Sequence, residues 1–138
     1  MSLEQAQLDM VAAFEIARLA WTGAAFDVQY PGRALLNLAD QVNPFIGMDF
    51  DWLAGEQLEM NPVKNVRTRV NLILAIAVKT GEGTRVPAQL YDYFSRALQL
   101  RAIGAARVEA ATAGRMREHL GWEYRPLILP FWLTSPAA

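Results

Sequence analysis

The chain has 138 residues, no cysteine, and 13 basic against 14 acidic side chains, for a formal net charge of -1. That length suits one domain, residues 1–138, with a core large enough to fold without a staple. A disulfide framework, a zinc knuckle and a thiol nucleophile are excluded, and near-neutrality argues against a nucleic-acid coat or a membrane-surface protein.

Residues 2–21 read as a first helix. Ser2 and Gln5 have capping-box spacing and Glu4 sits in the first turn, where the helix dipole favours an acid. Leu8, Val11, Ala12, Glu15 and Leu19 follow helical spacing, and Met10, Phe14 and Ala17 widen the apolar stripe. Thr22-Gly23 ends it. Phe26 to Tyr30 alternates and predicts a short strand, closed by the turn signal Pro31-Gly32. Residues 33–43 read as either a short helical turn or a loop, and Pro44 closes them.

Phe45 to Leu53 returns to a period of two, with Asp49 and Asp51 on one side and Ile46, Met48, Phe50 and Trp52 on the other. Residues 54–64 read as a connection, with the character of a long hairpin tip. Val66 to Thr80 is the clearest element. Val66, Thr68, Val70, Leu72, Leu74, Ile76 and Val78 hold one face without a break, which predicts a strand of about 45 Å. A strand longer than its own body must project from it or be shared with a neighbour.

Thr80 to Gly83 breaks that strand, and Thr84 is expected to cap a second helix with Pro87 in its first turn. Val86, Leu90, Tyr93, Phe94 and Ala97 form its expected buried stripe, with Asp92, Ser95 and Arg96 outside. Residues 106–112 alternate weakly as a strand, and 114–121 read as a turn or loop. Trp122 to Leu133 alternates again. Pro126 and Pro130 cannot donate to a ladder, so this last strand is expected at an edge or with a bulge. The expected fold is α+β: a mainly antiparallel mixed sheet with two helices packed on one face, in the order α-β-β-β-α-β-β.

Chemistry is sparse. His119 is the only histidine, which rules out a histidine-rich metal site, and no serine and aspartate accompany it in a triad-like arrangement. Asp49 and Asp51 share a strand face, as a carboxylate pair for acid/base work or Mg²⁺ would, but a solvated strand face is the simpler reading. Gly81-Glu82-Gly83 lacks the lysine and hydroxyl residue that a phosphate-cradling loop places after its last glycine. Lys64, Arg67 and Arg69, with Arg85 at the opposite end, make the one basic group that stands out. Arg67 and Arg69 point together, without the interleaved aromatics of a nucleic-acid platform. These four and the two aspartates are the candidate interface residues. No catalytic, cofactor or metal residue is assigned.

The N-terminus lacks the basic region of a signal peptide. The longest apolar stretch, Val70 to Val78, is about half of what a membrane helix needs, so a soluble protein without membrane contact is expected. The apolar share, 53%, slightly exceeds the usual range of about 45–50%, which suggests apolar surface covered by a partner.

The opening Met-Ser-Leu-Glu-Gln helix, the strand ending at Tyr30-Pro31, Pro44-Phe45 opening the next strand, and the aromatic-rich close from Trp122 to Trp132 resemble the tail terminator proteins of long-tailed bacteriophages and their tail-completion and neck relatives. The resemblance spans most of the chain and departs from the family at 33–43. It implies a homo-hexameric ring, without catalysis or cofactor, that caps the tail tube and joins the head. Its partners would be further copies of the chain, tail-tube protein and head-completion protein. It would assemble in the host cytoplasm, forming the ring in solution or only on the tube, and end in the virion tail. A head–tail neck adaptor is a close variant. The competing expectation is a small-molecule-binding or enzymatic α+β domain whose pocket is lined by Trp52, Tyr91, Tyr93 and Trp122.

Overall fold

The computed structural model describes residues 3–33, 35–57 and 65–136, without the side chains of 53–57, 65–67 and 134–136. The fold is α+β, with two helices and a mixed eight-stranded sheet among the described residues. In chain order the elements are α1 (Leu3–Leu19), β1 (Asp27–Gln29), β2 (Phe45–Gln57), β3 (Asn65–Lys79), α2 (Arg85–Leu98), β4 (Ala102–Ile103), β5 (Ala106–Val108), β6 (Thr112–Ala113), β7 (Arg117–His119) and β8 (Trp122–Pro136). The sheet runs β1-β2-β3-β8-β5-β4, with β6 and β7 also paired to β8. Among the described strands only β1 and β2 pair in parallel.

Strict alternation makes β3 the axis of the sheet. Its even residues Val70, Leu72, Leu74, Ile76 and Val78 are at most 1% exposed. All but Val78 share one core with Ala6, Met10, Phe14 and Ala17 of α1 and Leu90, Phe94 and Leu98 of α2. Phe14 stacks on Phe94 at 4.8 Å, and the edge of Phe26 meets Phe94 at 5.8 Å. The Tyr93 hydroxyl donates to the Ala17 carbonyl, tying the helices together.

Several expectations are corrected here. The buried stripe of α1 runs Ala6-Met10-Phe14-Ala17, so Leu8 and Leu19 are exposed at 57% and 83%. The wide apolar pattern concealed which of its edges faces inward. In α2, Ser95 is buried, and its hydroxyl is satisfied by donating to the Asp92 carbonyl at 3.1 Å. Thr84 stands at the N-cap position but makes no side-chain capping bond. The Ser2 cap and the 58–64 part of the hairpin connection lie outside the described residues.

Residues 35–43 form turns, not a helix. The side chains of β1 hold them: Gln29 Oε1 accepts the Leu36 N–H at 2.7 Å, and Gln41 Nε2 donates to Asp27 at 2.6 Å. Leu36 and Leu38 thereby pack on a second, smaller cluster of Phe45, Ala77 and Trp122. These three are outward residues of the sheet, because Phe45 pairs with Ala77 on the odd-numbered face of β3.

The last strand is not at the edge. β8 pairs with β3 in an unbroken register from Trp122↔Lys79 to Pro136↔Asn65. Its prolines act on the other side. The carbonyls of Pro126 and Pro130 accept from Gly114 and Glu109, so the missing proline N–H groups belong to that flank too. There pairing survives only in pieces: β7 at 122–124, β6 at 127–128 and β5 at 131–132. Each gap between pieces contains one proline.

Candidate functional site

β3 spans about 50 Å at roughly 3.4 Å per residue, whereas the 17 residues of α1 span about 25 Å. Neither helix can cover the whole length of the β2-β3-β8 ladder. Trp52 records the difference. It lies on the core-side parity of β2 but is 61% exposed. Just beyond it the register with β3 shifts between Trp52 and Gly55. One extra β2 residue there, opposite Arg69, forms a bulge that twists and re-aims the projecting end.

The odd face of β3 is the candidate interaction surface. Asp49 pairs with Ile73, Asp51 with Asn71, and Arg69 with Trp132, so both aspartates and Arg69 share one face. The sequence related the two aspartates to each other but not to Arg69. Asp49 and Asp51 are exposed, and Asp49 accepts the N–H of Phe50 at 2.8 Å. The Arg69 guanidinium lies 5.5 Å over the Trp132 ring, a cation–π contact, and the indole N–H of Trp132 donates to Glu109. Arg69 Nε and Asn71 Oδ1 are buried without a hydrogen-bond partner among the described residues.

Arg67 takes the next odd register position, opposite Glu56 and Thr134. Lys64 lies outside the described residues. Arg85 does not join them. It opens α2, past the far end of β3, and is exposed there.

Sequence reasoning missed a second charged group on this face. The chain from 114 to 121, expected as turn or loop, contains β7 and closes a hairpin through Leu120 and Gly121, both at positive φ (49° and 81°). Arg117 pairs with Tyr124 and His119 with Trp122, and these lie opposite Ala77 and Lys79. Arg117 and His119 therefore share the face of Asp49 and Asp51. With Arg115 they rim a cleft of about 610 Å³ floored by Ile73, Ala75, Pro126 and Ile128. The available signal was Gly121; leucine in place of the usual Asn or Asp before it hid the two-residue turn. Burial raises the phenol of Tyr124, in the same cleft, above its usual value.

The four aromatics expected to line one pocket do not converge. Trp52 is exposed and Trp122 is buried with Phe45 on the outer face. Tyr91 lines a cleft with Pro87 and Met116, while Tyr93 meets Trp21 in the groove between the helices. Among the described residues no three His, Asp or Glu side chains gather to hold a metal ion, and no described helix is long and apolar enough to cross a membrane.

No family model matches the sequence, and no curated protein matches it. Ten solved chains match it in structure. One of them aligns over 91% of this chain and 93% of its own length, with a TM-score of 0.52 and 14% identity. A likeness this distant in sequence shows the fold alone.

Proposed function

We propose that this chain is a structural assembly protein of the tail-terminator kind, acting by contact with copies of itself and with tube and head proteins. The observation that carries the reading is the mismatch in length between the three long strands and the helices. A ladder that its own helices cannot cover suits a protein whose sheet is completed by neighbours. The outward face supports the same reading, with exposed charge around an apolar middle. The arrangement of two helices side by side over one sheet face, in a ring with the other face turned to neighbours, belongs to this proposal. Hexameric closure and head–tail joining rest on the sequence resemblance. A neck adaptor would use the same surface.

Light scattering after size exclusion, with and without assembled tail-tube protein of the same genome, tests the reading. The expected result is a ring-sized mass, at the latest when tube is present, together with arrest of tube elongation. A strict monomer that ignores the tube would overturn it.

A further inference from the structure

β2 has an open edge. β1 accompanies it only from Phe45 to Gly47, because Pro31 brings no N–H and Gly32 turns the chain away at φ +72°. From Met48 to Gln57 no other described strand lies on that side. The edge runs between two different walls. On the helix side is a groove of about 580 Å³ lined by Leu8, Val11, Tyr30 and Phe50 together with the charged Glu4, Glu15, Arg18 and Arg33. On the outer side stand the exposed carboxylates of Asp49 and Asp51. A strand added here would meet a mixed apolar and charged groove on one side and carboxylates on the other, so it should alternate with basic side chains on the outer side.

β7 has the outer half of that pattern in Arg117 and His119, while Glu118 and the preceding Met116 alternate onto the helix side. β7 pairs only with β8 among the described strands, which leaves its far side open. Arg117 and His119 are exposed on the same sheet face as Asp49 and Asp51. Met116, which precedes them and is 45% exposed, lines the cleft of Ile76, Pro87 and Tyr91 on the helix side. Laid along β2 with the faces matched, Met116 and Glu118 enter the groove under α1, and Arg117 and His119 stand beside the aspartates.

We propose that the β2 edge of one copy takes the β7 edge of a second copy, continuing the sheet from subunit to subunit. The proposal rests on the assembly reading above and specifies its contact. Because the two edges are different patches, the contact is head-to-tail and repeats around a ring.

The absence of cysteine in the chain makes disulfide trapping clean. Asp49→Cys or Asp51→Cys is combined with Arg117→Cys or His119→Cys, in four double variants of the full chain. Paired strands bring Cα atoms to about 5.5 Å, within disulfide range. At least one double variant is expected to give a ladder of covalent multimers on oxidation, while the single variants give none. A dimer from Asp51→Cys alone would mean a two-fold β2–β2 contact and would overturn the proposal. So would the absence of multimers in all four doubles, even with a ring present by light scattering; that result leaves the assembly reading standing. A strict monomer with and without tube ends both.

A second arm uses charge. Asp49→Lys with Asp51→Lys carries cations on both edges, and Arg117→Glu with His119→Glu carries anions on both. Each alone is expected to lose assembly while keeping its circular dichroism, and an equimolar mixture is expected to regain it. Failure of the mixture to assemble counts against the strand pairing.

Discussion

The two faces of β3 differ in every respect except their backbone. The even residues from Val70 to Val78 are almost without solvent contact, and all but Val78 meet the stripes of the two helices. The odd residues from Arg69 to Ala75 are half-exposed, beside acids on β2 and prolines on β8. One strand thus has two environments: its inward face holds the core together, and its outward face carries the surface proposed for assembly. Stability and assembly should therefore respond to different substitutions on the same strand.

The largest expected effect is on the inward face. Leu74→Ala removes a fully buried side chain and should destabilise by about 2–5 kcal/mol, read from the denaturant midpoint. A loss well under 1 kcal/mol would break the contrast between the faces. Leu120→Asn comes next. Leu120 occupies a left-handed position in the β7–β8 turn while 73% exposed, so its strain can be relieved without loss of packing. A gain of about 1 kcal/mol is expected in thermal unfolding.

Ile73→Ala, one residue from Leu74 but on the outward face, should cost about 1 kcal/mol or less. A loss equal to that of Leu74→Ala would mean that both faces belong to one core. The smallest effect is at Tyr124, whose burial raises its phenol above the usual value near 10. The raised folded value means that its share of stability is complete below about pH 10 and is lost as pH rises through the higher folded value. Tyr124→Phe should flatten the alkaline fall in stability above about pH 10, measured by urea unfolding at each pH.

Much of the fold could be read from the chain because its strongest signals are local. The alternation of 66–80 predicted β3 within a residue at each end, and the stripes around Phe14 and Leu90 located both helices. The candidate surface was legible only in fragments. The Asp49–Asp51 pair and Arg69 were visible as separate features, but their common face arises from the β2–β3 register. Arg117 and His119 were set aside as loop because Leu120-Gly121 is an unusual turn pair. Arg85 was grouped with cations from which the full length of β3 separates it.

What the sequence determined by itself is the period of each long strand, the apolar inward face of β3 and the lack of any thiol chemistry. Each follows from the order of neighbouring side chains or from composition. Tertiary structure alone decided which strands have neighbours. The prolines of β8 look the same in sequence whether they spoil an edge or an interior ladder; the outcome depends on which flank their missing N–H would have faced. The open side of β2 likewise exists only because a turn at Pro31 carries β1 away. Strand pairing joins residues far apart in the chain, and a local pattern holds no record of it.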